Sequence, residues 1–105
     1  FNLIVNNSKL THRNIVTYLT SNDRKRFIVL EFVSNGTLYE LLRSDHTLSW
    51  PDRISISLEV AVGMAYCHEH GVIHADLRSG NLLARFFFLL FFFLVVVVVV
   101  DWFYR

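Results

Sequence analysis

An uninterrupted apolar run near the carboxyl end of the chain limits what this sequence can fold into. The run covers residues 86–100, lies between Arg85 and Asp101, and contains neither a charge nor a proline. As a helix it would span about 22 Å, which is shorter than the ~30 Å hydrocarbon core of a bilayer. Its six consecutive valines favour a strand over a helix in water. We therefore treat residues 1–85 as the globular part of the chain and residues 86–105 as a low-complexity hydrophobic tail.

The tail allows two interpretations. Phe, Leu and Val can all be encoded by codons that end in two thymines, so a thymine-rich stretch of unspliced intron would be translated into a run of this kind. On this interpretation, which we prefer, the tail is not native sequence of the domain before it. The alternative is a membrane anchor, because flanking residues and local thinning of the bilayer can absorb the length mismatch. We expect contact with a membrane only through this tail.

The length, charge and cysteine content of the chain narrow its class. A chain of 105 residues with a net charge of +1 fits one small domain. Its only basic cluster, at residues 24–26, is expected at a solvated turn, so we expect no nucleic-acid partner. The single cysteine, Cys67, fits a reducing compartment, and we expect a cytoplasmic location or the cytoplasmic side of a membrane. The chain has no initiator methionine, which leads us to expect a partial sequence.

Strand signals occupy the first third of the chain. Residues 1–11 are compatible with the end of a helix. Residues 15–19 and 27–32 are rich in β-branched and aromatic side chains, and the polar residues 20–23 lie between them. This pattern predicts a hairpin of two strands with its turn at residues 20–23.

Two capping boxes predict two helices. Thr37 and Glu40 have the spacing at which each side chain bonds to the main chain of the other, which predicts a short helix. Ser49 and Asp52 repeat the pattern at the start of a longer helix, which Gly71 is expected to end. Three- and four-residue steps along this helix predict one buried face, formed by Ile54, Leu58, Ala61, Ala65 and His68.

The loop after the long helix carries the most informative motif. Residues 72–83, VIHADLRSGNLL, resemble the protein kinase catalytic loop H-R-D-L-x-x-x-N, with Ala75 in place of the arginine. The chemistry of that family needs a carboxylate that receives the substrate proton and, five residues later, an amide oxygen on magnesium, so that one loop holds both groups. The alternative is a polar loop in which Asp76 and Asn81 make only local turn hydrogen bonds.

The resemblance implies a role for each polar residue of this loop. Asp76 takes the position of the catalytic base, and Asn81 takes that of the magnesium ligand. Arg78 falls where kinases carry a basic residue that offsets charge on the transferred phosphoryl group, and arginine there resembles the tyrosine kinase and tyrosine-kinase-like branches. Ala75 lacks the charge with which the family's arginine can pair with a phosphorylated activation segment. The cofactors implied are ATP and Mg²⁺.

A second segment supports the same resemblance. Residues 27–38 are similar to the last strand of the kinase small lobe and the hinge between the lobes, with Leu30 at the gatekeeper position. In that family main-chain groups of the hinge hold the adenine, which implies ATP-binding roles for Glu31 and Val33. Glu40 takes the position that can bind the ribose, although the capping box also explains it, and both interpretations stay open.

The sequence departs from the family at two further places. Residues 10–16 are similar to the turn after the regulatory helix of kinases, and counting back from that turn puts the helix glutamate at Leu3, which cannot form the expected ion pair. The magnesium-binding D-F-G is expected near Leu94, among phenylalanines and valines, and the Asp-Trp-Phe at residues 101–103 comes too late and lacks the glycine. No second magnesium ligand can be named.

We therefore predict an α+β fold: residues 1–85 as a partial protein kinase domain with a remnant of the small lobe, the hinge and the start of the helical lobe. The predicted parent function is transfer of the ATP γ-phosphoryl group to a serine, threonine or tyrosine hydroxyl of a protein substrate, with this chain inactive by itself. The alternatives are a non-catalytic pseudokinase or scaffold and a membrane-anchored fragment. A metal cluster of His68, His70 and His74 is not expected, since a fourth ligand is missing. We interpret Cys67 as a small core residue.

Overall fold

The computed structural model describes residues 10–87 and 91–96. The predicted end of a helix at residues 1–11 therefore lies almost wholly outside the described residues. In chain order the elements are β1 (Tyr18–Asn22), β2 (Phe27–Leu30), α1 (Leu38–Arg43), α2 (Trp50–Glu69), a 3₁₀ turn (Ser79–Asn81), β3 (Leu82–Phe87) and β4 (Phe91–Val96). The strands form two antiparallel pairs, β1 with β2 and β3 with β4. The α+β class predicted from the sequence is confirmed.

The first hairpin is confirmed, but its turn lies three residues later than predicted. Thr20 and Ser21, which the sequence placed in the turn, pair with β2, and the ladder runs on to Asn22 opposite Phe27. Asn22 accepts a hydrogen bond at Oδ1 from the Lys25 amide over 2.9 Å. The polar residues Thr20 and Ser21 are tolerated in β1 because the strand is largely exposed to solvent. Polar residues alone therefore do not mark the turn, which begins after Asn22, where the Asn22 side chain accepts its hydrogen bond.

Both predicted capping boxes are present. The Thr37 hydroxyl accepts from the Glu40 amide over 3.2 Å while Glu40 Oε2 accepts from the Thr37 amide over 2.8 Å, which starts α1. Ser49 and Asp52 make the same exchange at the start of α2. Hydrogen bonds from Ser49 hold the pKa of Asp52 below its ordinary value. Gly71 has φ of 73°, the left-handed conformation expected just after a helix.

The buried face of α2 is not the one that the periodicity predicted. Ile54 is 65% exposed and Leu58 is 62% exposed, and Ala61, Ala65 and His68 are exposed too. The residues that α2 buries instead are Ile56, Glu59, Gly63 and Cys67. Both sets recur at helical spacing because α2 carries apolar residues on more than one face, so periodicity alone could not choose between them.

The core lies between α2, the loop that follows it and the turn that precedes β1. Its buried residues are Leu10, Ile15, Leu38, Leu48, Ile56, Cys67, Val72 and Leu82. Cys67 is fully buried, which confirms its interpretation as a core residue, and burial raises the pKa of its thiol. Because Val72 and Leu82 flank the motif loop and both belong to this core, the loop is held at its two ends by packing.

A buried carboxylate joins α2 to the turn at residues 10–14. Glu59, 8% exposed, accepts from Arg13 Nη2 over 2.9 Å and from the side-chain amide of Asn14. Two turns further along α2, the Tyr66 hydroxyl accepts from the Thr11 amide over 3.0 Å. These bonds fix the segment that leads into β1 against the helix that leads into the motif loop.

The described part of the tail lies in strands, with residues 86–87 at the end of β3 and residues 91–96 in β4. Phe91–Val96 forms β4, which runs antiparallel to β3 with Leu82 opposite Val96 and Phe87 opposite Phe91. This agrees with the strand preference of the first valines of the run, while residues 97–105 lie outside the described residues. Among the residues that the structure describes, no helix is both long and apolar enough to span a bilayer.

Candidate active site

The motif loop begins where α2 ends and turns Asp76 outward. The Val72 amide donates to the Cys67 carbonyl over 2.9 Å, which ties the start of the loop to the last turn of α2. His74 is 2% exposed, and its Nδ1 accepts from the Asp76 amide over 3.1 Å. Between them Ala75 has φ of 62°, a left-handed conformation that is uncommon for alanine. The backbone therefore reverses at Ala75, and the Asp76 side chain is left partly exposed.

Asp76 and Asn81 are hydrogen-bonded partners. Asn81 Nδ2 donates to the main-chain carbonyl of Asp76 and to its carboxylate Oδ2, each over 2.9 Å. The 3₁₀ turn between them closes with a bond of 2.9 Å from the Asn81 amide to the Arg78 carbonyl. Since both bonds use the amide nitrogen, the Asn81 oxygen is left to face a different direction. An uncharged amide oxygen next to a carboxylate is a donor set that suits a hard divalent cation such as magnesium.

Arg78 lies over the same carboxylate without being locked to it. Its Nε is 3.2 Å from Asp76 Oδ1, but the Arg78 side chain is 66% exposed and that of Asp76 is 34% exposed. An ion pair so open to water contributes little to stability. The guanidinium can therefore leave Asp76 for an arriving anion at small cost.

Strand β3 brings the predicted hinge next to this loop. The Ala84 amide donates to the Gly36 carbonyl over 2.9 Å, and Thr37 pairs with Leu83 in an isolated bridge. Arg85 Nη2 reaches Glu31 Oε2 over 2.5 Å. The turn that ends at Asn81 leads directly into β3. The motif loop is therefore joined to β3 through the chain, and the predicted hinge is joined to it through hydrogen bonds and an ion pair.

Asp76, Arg78 and Asn81 thus form one cluster, but the geometry of the loop alone does not distinguish the two interpretations of the motif. Hydrogen bonds between Asp76 and Asn81 are expected for a plain polar turn as well as for a catalytic loop. The position of β3 beside the hinge is not expected for a plain turn.

Residues 3–86 match the family model of the protein kinase domain. The chain belongs to the protein kinase family. It is 38% identical over 80 residues to dual specificity testis-specific protein kinase 1 of Homo sapiens, which covers 74% of this chain and 13% of that protein. It is 37% identical over 79 residues to LIM domain kinase 1 of Drosophila melanogaster, covering 72% of this chain and 6% of that protein.

A third relative is a serine/threonine-protein kinase-like protein of Arabidopsis thaliana, 36% identical over 74 residues, with 69% of this chain and 21% of that protein covered. The chain therefore spans about a fifth or less of these relatives. The matches support the tyrosine-kinase-like branch that Arg78 indicated.

In this kinase domain Glu40 is engaged as a helix cap. Its Oε2 accepts from the Thr37 amide, and a Cβ added at Gly36 would lie 2.3 Å from the same oxygen. The close approach of the Glu40 carboxylate therefore requires glycine at position 36, which also has φ of 74°. The ribose role of Glu40, and the main-chain roles of Glu31 and Val33 toward adenine, stay predictions.

The histidines near the motif have structural partners in the kinase fold. His70 Nδ1 lies 2.8 Å from the Tyr66 carbonyl, and the Tyr66 ring stacks between His70 and His12, with centroid distances of 4.1 and 4.7 Å. His74 supports the Asp76 amide. Over residues 10–87 and 91–96, no group of three His, Cys, Asp or Glu side chains is placed to hold a metal ion.

Two residues of structural importance were missed by sequence reasoning. Arg85 was used only as a boundary of the apolar run, and Glu59 was not considered, although it is an acidic residue within an otherwise apolar stretch of α2. That contrast was the available signal for Glu59. For Arg85 the signal was weaker, since nothing near it in the sequence points to Glu31. The expected D-F-G position, near Leu94, falls in β4, and Leu3 lies outside the described residues.

Proposed function

We propose that this chain contributes the hinge and the catalytic loop to a protein kinase that transfers the γ-phosphoryl group of ATP to a protein hydroxyl. The observation that carries the proposal is the apposition of the hinge and the loop through β3. The motif loop, with Asp76, Arg78 and Asn81, leads directly into the start of β3. The hinge contacts β3 itself, through Gly36 and Glu31. Adenine recognition and phosphoryl transfer act on one nucleotide, so the two segments must be neighbours, and their common connection to β3 supports this.

Asp76 acts on the substrate hydroxyl. Its carboxylate is partly exposed and oriented by the Asn81 amide, so it can accept the hydroxyl hydrogen bond and take the proton as the oxygen attacks phosphorus. Arg78 leaves its weak contact with Asp76 and pairs with the charged phosphoryl oxygens. Asn81 positions Asp76 through its nitrogen and offers its oxygen to magnesium. Magnesium, when bound, neutralises charge on the phosphates.

The nucleotide is held at the hinge in this proposal. Main-chain groups of Glu31 and Val33 bond to the adenine edge, and Glu40, in the first turn of α1, takes the position suited to the ribose. The substrate is a protein serine, threonine or tyrosine. The relatives include a dual specificity kinase and a serine/threonine-protein kinase-like protein, so the proposal covers all three hydroxyl-bearing residues. We propose a cytoplasmic location, in keeping with the single reduced thiol.

A chimaeric kinase tests this function. Residues 10–85 replace the matching segment of dual specificity testis-specific protein kinase 1, and transfer from radiolabelled ATP to a protein substrate is measured. We expect transfer, and we expect Asp76→Asn to reduce it by about 10²–10⁴-fold, because the general base is lost. Asp45→Asn, the same substitution in an exposed loop, is the matched control and leaves transfer unchanged.

A non-catalytic pseudokinase is the second candidate, favoured by the absence of D-F-G near Leu94 and by Leu3 where a glutamate is expected. The chimaera of residues 10–85 contains neither position, so a second chimaera that carries residues 1–105 tests this candidate. On that function the second chimaera folds and binds a fluorescent ATP analogue but transfers no phosphate. Transfer that persists in the Asp76→Asn chimaera would also contradict the role of Asp76.

A further inference from the structure

The Glu31 side chain joins three segments that are far apart in the sequence. Its Oε1 accepts from the Thr17 amide over 2.8 Å, and its Oε2 accepts from Arg85 Nη2 over 2.5 Å. Its own amide donates to the Thr17 carbonyl over 2.9 Å. Glu31 therefore connects the residue before β1, the start of the hinge and strand β3.

The ion pair is partly shielded from water. The Glu31 side chain is 25% exposed and the Arg85 side chain 34% exposed, against 66% for Arg78 in the pair with Asp76. Burial raises the pKa of Glu31, but the hydrogen bond from Thr17 and the nearby Arg85 guanidinium outweigh it, and the pKa lies below its ordinary value. The carboxylate is thus charged at neutral pH, and its attraction to Arg85 is screened less than that of an exposed pair.

The hinge is anchored to β3 at both of its ends. Glu31 at its start is held by Arg85, and Gly36 at its end is held by the Ala84 amide over 2.9 Å. Ala84 and Arg85 are adjacent, so the main chain of residues 32–35 arches between two anchors on neighbouring residues of one strand. One anchor is a main-chain bond that any residue except proline can donate. The other depends on the two charged side chains.

We propose that Glu31 and Arg85 form a hinge clamp that positions the adenine-binding main chain relative to the catalytic loop. Glu31 is then a positioning residue through its side chain, apart from any contact that its main chain makes. Its relevance to ATP rests on the proposed kinase function, whereas the clamp itself is a property of the fold. Loss of the clamp removes the contact of Glu31 with β3 and leaves that end of the arch held only by the main-chain bond to Thr17, while Gly36 still holds the other end on β3.

Amide hydrogen exchange of the full 105-residue chain, followed by mass spectrometry, tests the clamp. Peptides from residues 29–36 report on the hinge, and peptides from α2 serve as an internal reference. In Glu31→Gln and Arg85→Gln we expect exchange in the hinge to be about five- to tenfold faster, since a half-shielded charged hydrogen bond is lost. Exchange in α2 stays as in the wild type.

Two further variants make the result specific. Arg85→Lys keeps a cation within reach of Glu31 and retains most of the hinge protection. Arg24→Gln removes the same charge from the exposed hairpin turn and leaves the hinge unchanged. Arg85→Gln could aggregate because Arg85 borders the apolar run. In that case the hinge exchange rates of Glu31→Gln and Arg85→Lys still test the clamp.

Three results would overturn the clamp: unchanged hinge exchange in Glu31→Gln, an equal rise in the hinge and α2, or Arg85→Lys behaving like Arg85→Gln where both fold. The outcome is independent of the kinase proposal. A chimaera without transfer would refute the function and leave the clamp intact, and unaltered exchange would refute the clamp while transfer persists.

Discussion

At the scale of single residues, the motif loop combines strain with hydrogen bonding. Ala75 adopts a left-handed conformation that costs about 1 kcal/mol for a residue with a Cβ. The His74–Asp76 bond and the Asp76–Asn81 bonds offset it. Each of these contacts spans five residues or fewer. The joint assignment of Asp76, Arg78 and Asn81 came from the resemblance of this loop to the kinase motif.

Substitutions at Asp76 and Asn81 are expected to affect different quantities, the rate of phosphoryl transfer and the affinity for the nucleotide. In the chimaera, Asp76→Asn lowers kcat severely and leaves the affinity for ATP within about twofold, because the carboxylate faces the substrate hydroxyl. Asn81→Ala instead weakens magnesium-dependent binding of the nucleotide. Titration with a fluorescent ATP analogue, with and without magnesium, measures both. An equal loss of affinity in the two variants would contradict the assignment.

Ala75 is expected to remove one form of phosphate control. Alanine offers neither charge nor donor, so residue 75 cannot pair with a phosphate on an activation segment. We expect the full-length kinase that contains this loop to keep its activity after phosphatase treatment, as measured by phosphate transfer. A large loss of activity that rephosphorylation restores would show that another basic residue takes over this role.

At the scale of elements, α2 shows what a local pattern can and cannot predict. Its start at Ser49 and its end before Gly71 follow from bonds between near neighbours, and both were predicted. Its buried face was not, because apolar side chains lie on several sides of the helix. Which face is buried depends on Glu59 and Tyr66, because both side chains bind the segment at residues 10–14. These contacts direct the face that carries them toward the core.

Substitutions on the two faces of α2 should differ in their effect on stability. Ile56→Ala removes a side chain that is 7% exposed and should lower the free energy of unfolding by about 2–4 kcal/mol. Leu58→Ala, at a position 62% exposed, should change it by less than about 1 kcal/mol. Urea unfolding of the chain monitored by circular dichroism compares them. If Leu58→Ala lowered the free energy of unfolding more than Ile56→Ala, the buried face would be the one predicted from periodicity.

At the scale of the whole molecule, the chain contains segments that resemble the kinase hinge and catalytic loop, but three other sequence features of the family are not among its 105 residues. These features are the glycine-rich phosphate loop, the lysine on a strand after that loop, and the D-F-G motif. In this chemistry nearly all of the rate comes from positioning and charge neutralisation, which those parts supply.

The 105 residues by themselves are therefore expected not to phosphorylate protein substrates. A radiolabelled transfer assay with magnesium and ATP measures this, with Asp76→Asn as the control for contaminating kinases. Transfer that is present in the wild-type chain and absent from the control would refute the expectation.

The sequence by itself determined the features that depend on near neighbours. The capping boxes, the left-handed Gly71, the Asp76–Asn81 spacing and the strand preference of the valines all follow from covalent geometry and contacts within a few residues. Only the tertiary structure decided which face of α2 is buried and that Glu31 meets Arg85, a partner 54 residues away. Contacts of that range depend on how the elements pack, and no local periodicity or charge pattern encodes them.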